Sequence, residues 1–255
     1  MSYSQPHSHI PFILKPSLVI ANEAIWTLNA TKGGIESYPI SDYVLHSLFL
    51  RLTGAQEQKL KCICWELACR NYDYRYQRYE LKHYSECSNY EDKCLVYNDL
   101  VNEIKNLDNS FVIDDAFKTD ILSNWRTETD HLFQNSLLAK CFPQKYLEYK
   151  TLITAIKKNW IMNKRQLFVK KDNISEGEMI NTCGLSMLEL FTEYVYKERN
   201  RCAHNTRSYQ HNLPSLNDMK SKEYIIQNYF LFISIIFLLD GIFTKLFKTY
   251  LSKLE

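Results

Sequence analysis

Residues that break helices are scarce in this chain. It contains six Gly and six Pro in 255 residues, against roughly 12% in average usage. No proline lies between Pro39 and Pro143, and none between Pro143 and Pro214. A proline inside a helix costs about 3 kcal/mol, so such stretches suit long helices. The shortage argues against a loop-rich β-sandwich, a collagen-like repeat and a Gly-rich nucleotide fold. With 45% hydrophobic and 24% charged residues, the chain has the composition of a globular protein. The expected class is all-α, a helical bundle without a substantial sheet.

Periodicity gives the order of elements. Residues 1–16 hold three prolines and no clear period, so they read as an irregular arm. Residues 17–30 read as a helix with Ser17 as its cap. Ser41 or Asp42 can cap a second helix, with Leu45, Leu48, Phe49 and Leu52 on one stripe and Gly54 as its end. A long helix over about Gln56–Tyr84 follows, on Leu60, Ile63, Cys64, Leu67 and Ala68. Tyr72, Tyr76 and Tyr79 continue its stripe beside Arg75, Arg78 and Lys82. Interleaved aromatic and basic residues can clamp a single nucleic-acid strand. Periodicity explains the stripe without a ligand, however, and the packed amphipathic helix is the favoured reading.

An apolar helical stretch spans Cys94–Leu107. Phe111–Phe133 reads as a helix pair with Trp125 as its core anchor. Pro143 marks a boundary, followed by a basic helix over about Gln144–Lys158 and a less regular KNWIMNKRQLFVKKDN segment. Ser175 with Glu178 fits a capping box. The helix it opens can run to His204, with Gly184 as a potential break. Residues 206–220 read as a loop around Pro214, and the last helix spans about Ser221–Leu251.

Charge and cysteine usage narrow the function classes. The net charge is +2, but Glu86–Asp130 holds eleven acids and four Lys/Arg, and Lys140–Lys171 holds nine Lys/Arg and one acid. A basic stretch can hold phosphates, although a solvated helix face is commoner. Eight cysteines occur without CxxC or a zinc-like Cys/His spacing. The MSYSQPHSHIPF start lacks a signal-peptide pattern. Together these read as reduced thiols in a cytoplasmic protein. Residues 224–239 carry no formal charge. That run is shorter than the roughly 20 residues of a membrane span, so a buried core helix is favoured over membrane insertion of 224–243. HExxH and a P-loop are absent, which argues against a conventional metalloenzyme.

One cluster carries chemistry: Tyr196-Lys197-Glu198-Arg199-Asn200-Arg201-Cys202-Ala203-His204-Asn205. It ends an amphipathic helix whose apolar face is Met187, Leu188, Leu190, Phe191, Tyr194 and Val195. Arg199 can fork a phosphate, and His204 can move protons near neutral pH. An Arg and a His suffice to cleave RNA, because the ribose 2′-OH supplies the nucleophile. The plainer explanation is that basic residues in a last turn oppose the helix dipole, by about 0.3–1 kcal/mol each. Arg199 and His204 are about 140° apart round a helix, so one chain does not present both on one face.

Arg199-Asn200-x-x-x-His204 resembles the R-x(4–6)-H signature of the HEPN superfamily, in the form where Asn follows Arg. Glu198 before it, the all-α chain and the hydrophobic helix after it are similar too. The resemblance covers about residues 136–255, a HEPN-like helical domain, and leaves 1–135 as an N-terminal helical region of unknown role. It implies a metal-independent, cofactor-free endoribonuclease of a toxin or antiviral-defence type. Arg199 and His204 are then catalytic and meet their counterparts across a homodimer two-fold. Asn200 and Glu198 support them, Glu198 by orienting Arg199. By charge and position, Arg201, Asn205, Arg207 and the basic stretch with Lys157 and Lys158 are candidates for RNA backbone contacts. Family toxins silenced by AMPylation carry a Tyr two residues after the His. Thr206 stands there in this chain, leaving room for a different antitoxin or defence-system partner. The alternative function is a non-catalytic HEPN-like module that binds RNA or dimerises.

Overall fold

The computed structural model describes residues 8–31, 34, 37–81, 87–175, 184–204 and 227–254. Along the chain come α1 (Ile10–Leu14), α2 (Leu18–Asn29), α3 (Ser37–Arg70) and α4 (Tyr72–Arg75), which runs into a π-helical turn (Tyr76–Leu81). Then follow α5 (Tyr90–Leu107), α6 (Asp115–Gln134), α7 (Leu137–Cys141) and α8 (Pro143–Ala155). A hairpin pairs β1 (Ile161–Asn163) with β2 (Gln166–Phe168), Ile161 opposite Phe168 and Asn163 opposite Gln166. After it, α9 (Met187–Glu189), a π-helical stretch (Leu190–Val195) and α10 (Tyr196–His204) form one unbroken rod. The last element is α11 (Tyr229–Ser252). The class is all-α, as composition implied.

The most apolar segment lies at the centre. α11 packs against α1, α3, α5, α6, α8 and the π-helical stretch before α10. By length and composition it could cross a membrane, yet 83% of its most apolar 18-residue window is buried in the fold. Phe230, Ile233, Phe237 and Leu238 are all buried, while Lys248 is exposed. Trp125 anchors α6 to this helix, its Nε1–H donating to the Ser234 carbonyl at 2.6 Å. Buried side chains from residues before and after 135 join one cluster, from Ile13 to Tyr250.

Several boundaries differ from the sequence reading, each for a local reason. Part of the N-terminal arm is helical: Pro11 sits in the first turn of α1, where its missing N–H costs nothing. Gly54 does not end a helix but lies inside α3. Leu45, Leu48, Phe49, Leu52, Gln56, Leu60 and Ile63 are all buried, so one stripe passes through Gly54 without losing phase. The long helix ends at Arg70, because Asn71 turns extended (φ −128, ψ 111) and caps α4 by accepting from the Tyr74 N–H. Within the tyrosine segment, Tyr72 and Tyr76 are exposed while Tyr74 and Arg78 are buried against Asp99. The expected pair over Phe111–Phe133 is a single helix, capped by Asp114. The capping box falls at Ser186 and Glu189, after Gly184 at φ +79. Ser175 is not helical, and Glu178 lies outside the described residues. α11 begins at Tyr229, where Asn228 accepts from the N–H groups of Phe230 and Leu231. The loop expected over 206–220 lies outside the described residues.

Nothing lies within 4 Å of where a Cβ on Gly54 would sit. Gly54→Ala should therefore stabilise the protein by about 0.5–1 kcal/mol. Urea unfolding monitored by far-UV circular dichroism checks this, and a loss of stability would show that α3 needs a glycine there.

Candidate functional site

The motif helix is built from its start. The Ser186 side chain accepts from the Glu189 N–H at 3.2 Å, and Glu189 accepts from the Ser186 N–H at 2.8 Å. Met187, Leu190, Phe191 and Val195 then bury one face. The wider π-helical turn over Leu190–Val195 leads directly into α10. Such turns are frequent at functional sites.

Arg199 projects from α10 and is half-buried. Its Nη2 donates to both Glu57 carboxylate oxygens at 3.2 Å, and its Nη1 donates to the Asn200 Oδ1 at 3.0 Å. Glu57 comes from α3, so the ion pair ties the motif helix to the longest helix of the fold. Behind it lies Lys93 of α5, only 2% exposed. The Lys93 ammonium donates to the carbonyls of Cys87 at 2.7 Å and Ser88 at 2.9 Å. Burial pushes its pKa down to about 8, with the Glu57 charge opposing the shift and the Arg199 charge adding to it. A crevice of about 10 Å³, room for about one water, is lined by Gln56, Glu57, Lys93, Tyr196 and Arg199. The Gln56 side-chain N–H₂ is buried without a hydrogen-bond partner among the described residues.

Glu198 does not orient Arg199, which corrects the expected role. Its carboxylate accepts from Arg201 Nε at 2.8 Å and from Arg201 Nη2, from the Tyr229 hydroxyl at the start of α11, and from the Cys202 thiol at 3.5 Å. Burial alone would raise the Glu198 pKa, but the Arg201 and Tyr229 donors hold it below the ordinary value. The same carboxylate raises the Arg201 pKa, and burial pushes the Cys202 thiol up to about 11. His46 of α3 closes the group, its ring 4.6 Å from that of Tyr229. Ligand atoms of His46, Glu198 and Cys202 lie within 4.8 Å of one another. Among the described residues they are the group that could hold a metal ion, although Arg201 already neutralises the carboxylate. In the described structure the group pins α10 to α3 and α11.

The remaining candidates fall in different places. His204 ends α10, and its side chain, with Asn205 and Arg207, lies outside the described residues. Lys158 is paired with Asp115 at 2.5 Å, Lys150 with Asp130, and Lys145 with Glu148 at 3.1 Å. Part of the basic stretch therefore lies along acidic α6, with Lys150 and Lys158 held by its carboxylates. Lys157 is exposed beside Lys158. Glu57, Lys93, Gln56, Tyr229 and His46 were missed by the sequence reading. A signal existed for two of them: Lys93 is in phase with Val96, Tyr97, Leu100 and Ile104, and Gln56 with Leu52 and Leu60, all buried. A polar residue on a buried stripe marks a place where something must satisfy it.

The chain matches no protein-family model, no curated protein and no solved structure.

The buried ammonium gives a signed pH dependence. A lysine titrating near 8 when folded and about 10.4 when unfolded binds fewer protons in the folded state between those values. Its burial penalty is complete below pH 8 and is relieved as pH rises towards 10. Relative to Lys93→Met, the wild type should gain about 1–2 kcal/mol between pH 7.5 and 9.5. Urea unfolding of both proteins at the two pH values checks the sign. An unchanged difference would place the Lys93 titration outside that window.

Proposed function

We propose that the protein is an endoribonuclease that cuts single-stranded RNA by internal transesterification, with Arg199 and His204 as its catalytic residues. The observation that carries this reading is the fixed Arg199. Glu57 and Asn200 hold its guanidinium on the half-buried helix α10, five residues before His204. A pre-set cation is what developing negative charge on a phosphorane requires. Its five N–H donors exceed the three used by Glu57 and Asn200.

In this mechanism the 2′-oxygen attacks the adjacent phosphorus and the P–O5′ bond breaks. One His204 takes the proton of the 2′-OH, the protonated His204 of the other copy gives one to the leaving 5′-oxygen, and Arg199 offsets charge on the non-bridging oxygens. Products are a 2′,3′-cyclic phosphate and a 5′-hydroxyl, with no atom supplied by a cofactor. Unpaired RNA is the substrate, because the 2′-OH must swing in line with the leaving oxygen. The spacing of Arg199 and His204 supports a homodimer, in which two copies of α10 meet at a two-fold and each cleft draws on both chains. The HEPN resemblance supports the same arrangement, together with a defence or toxin role under the control of a partner.

His204→Ala should lower cleavage by about 10²–10⁴-fold, the worth of a positioned acid–base group. Arg199→Ala should lower it by about 10²–10³-fold. Gel assays on labelled unpaired RNA, with EDTA present, read both. Full activity in both variants, or activity only on adding magnesium, rejects the mechanism. A folded wild type that binds RNA without cutting it favours the non-catalytic module.

A further inference from the structure

Resting on that reading, we infer that the groove between α5, the β1–β2 hairpin and the rod of α9, the π-helical stretch and α10 is the track for the single-stranded RNA backbone leading to Arg199. The groove has a volume of about 820 Å³, within the range of ligand-sized clefts. Arg165 and Lys170 stand on one wall, Asn98 on another, and Tyr196 where the groove meets α10. Tyr196 also lines the small crevice that holds Arg199 and Lys93. Tyr196 therefore stands between the groove and the crevice of Arg199, three positions before Arg199 on the same helix.

The cations of the basic stretch differ in what they face. Lys145, Lys150 and Lys158 each pair with a carboxylate. Arg165 and Lys170 are exposed, and neither has an acidic partner among the described residues. Arg165 is moreover held at a fixed place. It occupies the hairpin turn at φ +66, and its carbonyl accepts from the Asn98 side chain at 3.0 Å. Among the described residues Glu91 is the one acid lining the groove, against Arg165 and Lys170. Two cations without an acidic partner among the described residues, beside an aromatic ring and a side-chain amide, match the chemistry of a single strand: phosphates for the cations, a base face for the ring. A duplex presents no free base face to Tyr196.

The test is binding of a fluorescent all-2′-deoxy single strand, which cannot undergo the reaction, by anisotropy at several salt concentrations. Arg165→Glu/Lys170→Glu should weaken binding at least about 10-fold at 0.1 M salt and flatten the log–log salt slope by about 1.4, for two lost phosphate contacts. Lys140→Glu/Lys248→Glu changes charge equally outside the groove and should bind like wild type. If both double variants weaken binding alike, net charge and not this groove holds the strand, and the inference is overturned. It is also overturned if the groove variant binds like wild type, or if wild type does not bind the strand. In the first two cases cleavage of RNA by wild type still stands, which separates failure of the groove from failure of the ribonuclease reading.

Discussion

A buried ion pair sets the register of the fold. Asp240 interrupts the apolar run of α11, and inside the core a carboxylate must be matched. Its two oxygens accept from Lys59 Nζ at 2.6 Å and from the Ser17 N–H at 2.7 Å. One side chain thus fixes the C-terminal half of α3, at Lys59, and the start of α2 against the central helix. Replacing both partners by apolar residues could be neutral, but removing one leaves an uncompensated charge, at a cost of about 3–5 kcal/mol. The pair therefore selects one alignment of three helices. Glu57 lies two residues from Lys59 on α3, so the alignment that satisfies Asp240 also delivers the carboxylate that holds Arg199.

The motif helix is fixed from two sides by different chemistry. On one side Lys93, Glu57 and Arg199 alternate in charge from the core outwards. On the other, Glu198 collects donors from Arg201, Cys202 and Tyr229. Adjacent motif carboxylate and guanidinium thus do not pair with each other. Glu198 secures the helix and leaves Arg199 to Glu57 of α3 and to Asn200, so Arg199 is positioned without depending on Glu198. Tyr229 links this anchoring to α11, since it is the first residue of the central helix.

What the sequence made legible follows from the range of the forces. Stripes such as Leu45–Leu48–Phe49–Leu52 and the burial of the uncharged run within α11 depend on local pattern, and the sequence reading found them. Gly54 misled that reading because a single glycine costs only about 1 kcal/mol in a helix, less than the buried stripe on either side contributes. The hairpin was not read, since two strands of three residues leave too few positions for alternation to register. Its place is set by burial of Trp160, Ile161, Leu167 and Phe168. The site was half legible. Arg199 and His204 stood out as a spacing, but the residue that holds Arg199 is 142 positions away, and no local pattern reports such a contact. The expectation that Glu198 orients Arg199 failed for the same reason, because adjacency in sequence stood in for adjacency in space.

A fixed guanidinium, a histidine five residues on and a groove whose cations have no acidic partner among the described residues form one chemical proposal, in which the protein supplies position and charge and the RNA supplies its own nucleophile. The identity of the product ends tests that claim most directly. Mass spectrometry of a defined unpaired oligoribonucleotide, cut by purified wild type in EDTA, should show 2′,3′-cyclic phosphate on the upstream fragment and a 5′-hydroxyl on the downstream one. Fragments ending in 3′-hydroxyl and 5′-phosphate would mean that water or another nucleophile attacks from the opposite side, and would contradict the account.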